Sequence, residues 1–296
     1  MNKLPVGPTI GFAYKFAFGQ LGTIIGLIWA PMVVIAVLRF LPYGLGDTTL
    51  SPEQNPAAFN AAQLRIVFFG LASLFFYACV CVSVTQQALG LRKGGAVFHF
   101  ALGRTELRLW IAFLLLTLIL AMLLLGVYLA TNGVVMLLAR SGNIALAEGV
   151  MGLMLFAGAS AIVFALVRLS FLIVPVVVAE GTMGLERGWR LTGGNFWRIS
   201  GVLFVVTLPV VVVTVCAIFG LIGADLAKLA AVAPKLTQEV LQNRMQVVIS
   251  HHMAMMIGID LIAAPFLLGL TLGASAFAYK TLAAASPPAR GAQGKS

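Results

Sequence analysis

The chain has 296 residues, of which 61% are hydrophobic and only 9% charged. A water-soluble domain carries about 25% charged side chains, so this composition excludes a soluble fold, whose surface would expose apolar patches larger than water tolerates. The formal net charge is +10, but the bases sit scattered at the ends of apolar runs, with no arginine-rich arm and no DNA-binding motif; anionic lipid head groups account for the excess, and nucleic acid is not an expected partner.

A helix needs about 20 apolar residues to cross roughly 30 Å of hydrocarbon. Six stretches meet that requirement: 21–41, 66–89, 109–138, 145–178, 199–224 and 247–283. The first begins at Leu21 behind a mixed stretch, is long enough to span, and has no A-x-A-like site after it. It reads as a retained helix, not a cleaved signal. Residues 43–63 are polar, with Ser, Asn and Pro, and read as an external loop. The third, fourth and sixth stretches exceed a minimal span and are expected to tilt or project. Pro31, Pro175, Pro209 and Pro265 fall inside four of the six and are candidate kinks. Residues 225–246 alternate apolar and charged positions at helical spacing, which predicts an amphipathic helix on the outer surface. Residues 286–296 carry Pro and Gly without apolar periodicity, the pattern of a disordered tail.

The three cysteines, Cys79, Cys81 and Cys216, all lie in apolar runs. Cys79 and Cys81 face different sides of a helix, so small buried hydrophobes are expected and a disulfide framework is not. Placing both termini in the cytoplasm puts thirteen of the 19 Lys and Arg residues on that side, as the positive-inside rule requires.

The chain also repeats. Gly103, Arg108, Thr117 and Leu118 recur as Gly193, Arg198, Thr207 and Leu208, at an offset of 90. Tyr14, Lys15, Gly19, Gln20, Ile24 and Gly26 match Trp189, Arg190, Gly194, Asn195, Ile199 and Gly201, at an offset of 175. Each segment starts with aromatic and basic residues, passes through glycines and enters a span. Aromatic and basic side chains favour the head-group layer. The expected fold is therefore an all-α polytopic membrane protein: one domain over 1–285, with pseudo-repeats at about 10–90, 91–180 and 181–285. Each repeat is a cytoplasmic interfacial helix followed by a helical hairpin.

Residues 168–204, RLSFLIVPVVVAEGTMGLERGWRLTGGNFWRISGVLF, carry a more specific pattern. Arg168 in a span is followed by Pro175 and Glu180, then by a short helix with Arg187, Trp189, Leu191, Thr192, Gly194, Phe196, Trp197 and Arg198. This resembles a signature of bacterial membrane proteins related to the glycerophosphoryl diester phosphodiesterase membrane domain and the YciC-like proteins, with Gly188 where that family usually has serine. AFAYKTLA at the end of the sixth span is similar to the family's tyrosine-plus-base ending. The resemblance implies a module of the bacterial inner membrane. The phosphodiesterase of the namesake proteins is a separate soluble barrel of some 240 residues, for which this chain has no counterpart.

Candidate sites are few. Arg168, within a span, either grips an anionic head group or solute, or pairs with Glu180 or Glu186 as the chain folds back after Pro175. Asp260, inside the sixth span, is either a proton or cation site, or a structural group that caps a segment ahead of Pro265 or bonds across helices. Arg187, Arg190 and Arg198, with Trp189 and Trp197, are candidate lipid head-group contacts. His251 and His252 sit near Met253, Met255 and Met256, but adjacent histidines face different sides of a helix, so no metal ligand set is assigned; His99 reads as an interface residue. Gly22–Gly26 and Gly269–Gly273 fit GxxxG, which lets helix backbones approach. No Walker loop, HExxH or nucleophile–base motif is present, so neither an enzyme nor a cofactor is expected. The expected role is a non-catalytic module that interacts with membrane lipids or a membrane-protein partner. The competing reading is a transporter or permease for a lipid-like or small solute, which requires a cavity near the midplane containing Asp260 or Arg168.

Overall fold

The computed structural model describes residues 3–44, 56–92, 103–140, 144–233 and 237–284. The helices are α1 Val6–Gly19, α2 Leu21–Gly44, α3 Pro56–Leu89, α4 Arg104–Arg140, α5 Ile144–Ser170, α6 Ile173–Glu180, α7 Leu185–Leu191, α8 Phe196–Val232 and α9 Gln238–Ala284, and no strand occurs among the described residues. Among the described residues six stretches are long and apolar enough to cross a membrane: Leu21–Arg39, Phe59–Leu89, Arg104–Leu138, Leu146–Glu180, Phe196–Val232 and Val247–Ala284. The chain is an all-α polytopic membrane protein. Lipid is the solvent that lets side chains such as Leu153, Phe156, Val213 and Trp197 stand exposed without the cost they would meet in water.

Three antiparallel hairpins, α2/α3, α4/α5 and α8/α9, make up the body. Short helices stand ahead of the first and third hairpins, as α1 and α7. The equivalent segment before the second hairpin, most of the loop at 43–63 and the tail at 286–296 lie outside the described residues. Helix α1 runs lengthwise against α9. The Cβ position of Gly273 lies 3.5 Å from the Cα of Ala13, and that of Gly269 lies 3.3 Å from the Cα of Ala17. Two pairs, each four residues apart and in opposite order, define an antiparallel contact in which small residues on both helices bring the backbones together. The GxxxG of α9 is thus an intramolecular seam. The Cβ direction of Gly22 meets nothing within 4 Å.

The kink expected in the fourth span ahead of Pro175 is present, as a full break at Phe171 and Leu172 into α5 and α6. Pro175 has no N–H for the carbonyl of Phe171, and its ring crowds that carbonyl. Helix α6 then stops at Gly181, whose φ of 65° suits a residue without a side chain. Residues 225–246 do not form a separate amphipathic helix. Asp225–Val232 continues α8, and α9 begins at Gln238; Leu229 is buried within the α8/α9 hairpin, while Val232, Val240 and Met245 stay exposed.

The positions aligned by the repeat sit alike. Ile24, Leu109 and Ile199 are fully buried, and so are or nearly are Leu27, Ala112 and Val202 one turn further on. The starts of the three hairpins also make similar contacts. Gln20 accepts from Gln87 at 3.0 Å, just ahead of the second unit. Arg108 donates to the carbonyl of Gly181, ahead of α7. Asn195 Oδ1 accepts from the Leu4 N–H at 2.9 Å, and Arg198 donates to the Leu4 carbonyl at 2.9 Å, ahead of α1. The contacts form a closed ring at the end of the bundle where Leu4 and Leu282 share a buried cluster.

Candidate functional site

Away from that end the hairpins separate. Arg39, near the end of α2, faces Asp260 of α9 across a gap, with Nη1 and Oδ2 3.9 Å apart and the side chains 62% and 55% exposed. Asp260 therefore faces a base on another helix, and that base is not Arg168. At that distance the pair lacks a direct hydrogen bond, and an ion pair this open contributes little to stability. Both charges line a cleft of about 690 Å³ between α2, α3 and α9, whose wall includes Tyr77 and Met253. A second space of about 280 Å³ continues past Arg39, Asp260 and Tyr77 toward α8. A third, of about 620 Å³, starts at Tyr77 and runs between α3, α4, α5, α6, α8 and α9. Tyr77 borders all three spaces, which form a crevice among the hairpins.

The inner part of the crevice carries hydroxyls on every side but makes few polar demands. Thr117 donates to the Phe113 carbonyl at 2.8 Å, Ser170 to Leu166 at 2.6 Å and Thr207 to Leu203 at 2.8 Å. Thr271 donates to Leu267 at 2.6 Å and Ser275 to Leu272 at 3.0 Å. Each donor is satisfied within its own helix, as back-bonding hydroxyls are in membrane helices. What remains is an apolar wall with a few acceptor lone pairs. Such a wall suits a hydrocarbon chain better than a sugar or an ion. Thr117 and Thr207, aligned by the repeat, face the same space.

At the opposite end the predicted residues fall into separate roles. Arg168 does not pair with Glu180 or Glu186. The Glu180 carboxylate accepts from Arg187 at 3.3 Å and from the Tyr279 hydroxyl at 3.0 Å, and Glu186 lies 3.8 Å from Arg190. The turn at Phe171 and Leu172 carries Glu180 toward α9, leaving Arg168 on α5. Arg168 instead donates from Nη2 to the Trp189 carbonyl at 2.8 Å, and its Cζ lies 3.8 Å over the Trp189 ring and 5.5 Å from that of Phe164. Of the head-group candidates, Arg187 is turned inward with its side chain 14% exposed, and Arg198 holds Leu4. Arg190 remains 57% exposed, and Trp197, at 83%, is the most open tryptophan of the group.

His252 Nε2 lies 3.1 Å from Asp225 Oδ2, and Lys228 donates to Oδ1 of the same carboxylate at 3.0 Å. Among the described residues no group of three or more His, Cys, Asp or Glu converges as a metal site. Cys79 and Cys81 are buried free cysteines, as expected, but Cys216 of α8 is exposed. Sequence reasoning missed Arg39 and Tyr77. The available signal was a base at the C-terminal end of the first span opposite an acid in the N-terminal half of the last.

Comparison with known proteins finds no family model, curated protein or solved structure that matches this chain.

Proposed function

We propose that this protein binds and handles a lipid-like amphiphile, as a transporter or carrier within the membrane. The observation that carries the reading is the crevice: charged at Arg39 and Asp260 and apolar beyond Tyr77, its two larger spaces of about 690 and 620 Å³ are each of the size typical of ligand sites. A polar head between Arg39 and Asp260 with its chain beyond Tyr77 fits both halves. Open volume beside an exposed ionisable pair is what a ligand site requires and a packed structural module does not. The same proposal places the protein in a bacterial inner membrane with both termini cytoplasmic. That placement rests on the distribution of basic residues and on the resemblance of residues 168–204 to the phosphodiesterase membrane-domain and YciC-like families. No reaction is assigned to it.

Native mass spectrometry of the protein released from membrane discs tests the reading. The native chain is expected to retain a discrete lipid or lipid-like molecule. Thr207→Trp, which fills the inner crevice, and the pair Arg39→Gln with Asp260→Asn should each lower that occupancy at least several-fold while the fold persists. Equal retention by the native, filled and neutralised proteins overturns it.

A further inference from the structure

We propose that the Arg168–Trp189 corner is a second site, built to hold the phosphate of an anionic membrane lipid. It shares no residue with the crevice. Arg168 lies near the C-terminal end of α5, on the side of the bundle where the chain's Leu4 and Leu282 ends meet. A guanidinium presents five N–H donors. Among the described residues one bond from Arg168 is made, from Nη2 to the Trp189 carbonyl at 2.8 Å, while Nε is buried without an acceptor. The Cζ sits 3.8 Å over the Trp189 ring, so the indole covers one face of the cation; Nε is enclosed, and the Nη1 end and the second Nη2 hydrogen form the edge left for a ligand. Such an edge matches two oxygens of a phosphate.

The charge itself calls for an anion. A base within a span persists only with a counter-ion, a polar cavity or a route to the head groups. No carboxylate among the described residues lies within ion-pair distance of Arg168. Glu180 is engaged by Arg187 and Tyr279, and Glu186 lies beside Arg190. The aromatic arm of the attraction, with Trp189 and Phe164, is a cation–π contact, which leaves the net charge in place.

The surroundings select a lipid over a soluble anion. Phe164 packs on Phe196 with ring centroids 4.8 Å apart, and Phe196 on Trp197 at 5.0 Å. Phe164 is 39% exposed, Val163 54% and Trp197 83%. Exposed rings beside a cation are the furniture of the head-group layer, and a phosphate held at Arg168 would lay its acyl chains along Val163 and Phe164.

The test uses Trp189 as reporter. Trp29, Trp110 and Trp197 are replaced by Phe, and the full chain is reconstituted in phosphatidylcholine vesicles. Fluorescence quenching by brominated phosphatidylglycerol is compared with quenching by brominated phosphatidylcholine. One basic side chain near an anionic surface predicts about a five-fold preference for the anionic lipid. Arg168→Gln should bring the ratio to about one, and Arg168→Lys should keep much of the preference. Equal quenching in the protein that retains Arg168, or an unchanged ratio in Arg168→Gln, overturns the site. If the Gln variant does not fold, competition in the Arg168 protein still decides. Inorganic phosphate in the millimolar range should leave the preference intact, and its abolition would assign the corner to a soluble anion instead.

Discussion

The Tyr14 hydroxyl donates to the carbonyl of Val205 at 3.2 Å, the acceptor that Pro209, four residues on, has no N–H to satisfy. A proline in the middle of a membrane helix is tolerated where a neighbour meets the freed carbonyl. Here the neighbour is α1. The bond ties the short first helix to the third hairpin and explains how α8 continues unbroken through Pro209 while the fourth span breaks ahead of Pro175.

The relationship predicts a coupled pair of substitutions. Tyr14→Phe should destabilise the protein by about 1 kcal/mol, the scale of interhelical hydrogen bonds in membranes. In a Pro209→Ala background, where residue 209 supplies its own N–H, the same change should cost close to nothing. Thermal unfolding in detergent of the four proteins in this cycle measures the coupling. Equal costs in both backgrounds would remove the assigned role of Tyr14.

The seam between α1 and α9 predicts a steric effect. A Cβ at Gly273 would stand 2.9 Å from the Phe16 ring and 3.5 Å from the Ala13 Cα. Gly273→Val should cost about 1–3 kcal/mol through overpacking and loosen α1, read as faster protease cleavage near Lys15. Gly22→Val, whose Cβ direction is open, should leave both readouts unchanged.

The Glu180 carboxylate serves two donors, Arg187 and Tyr279, and so joins α6, α7 and α9. With side chains 14% and 23% exposed, the ion pair is partly shielded from solvent. Glu180→Gln should destabilise by about 1–3 kcal/mol by leaving Arg187 without its carboxylate. Adding Arg187→Gln should recover part of that loss, because the two side chains share one interaction. Additive losses in unfolding measurements would show that they act separately.

Leu4 is held at both backbone polar groups, its N–H by Asn195 and its carbonyl by Arg198. Asn195→Ala should leave a buried N–H unmet, at a cost of about 1–3 kcal/mol. Hydrogen exchange at Leu4 should accelerate at least ten-fold while exchange in the middle of α9 stays as it was. Unchanged protection at Leu4 would contradict the anchoring role.

Much of the architecture was readable along the chain because lipid imposes a one-dimensional rule: any segment that crosses must be apolar over its whole length and satisfy its own backbone. The six spans therefore emerged from local composition. Pro175 was legible as a kink in a stretch whose hydropathy is continuous, and the helix breaks ahead of it. The boundary that failed did so for a non-local reason: residues 225–246 look amphipathic alone but join α8 and α9 once those helices pair. Within the site, Asp260 was visible as a charge in an apolar run. Arg39 was hidden because a base at the end of a span is the commonest arrangement there. Arg168 was recognised, but its partner was not, since the choice between Glu180 and the Trp189 ring depends on the turn at Phe171 and Leu172.

By itself the amino-acid sequence determined the solvent of this protein and the number of its spans, both of which follow from side-chain polarity read in order. Only the tertiary structure decided which charges meet. It set Asp260 against Arg39 beside an open crevice, gave Glu180 to Arg187 and Tyr279, and left Arg168 on an indole face. Partners in a bundle are chosen by the packing of helices far apart in the chain, and interactions of a few ångströms are settled only when those helices have taken their places.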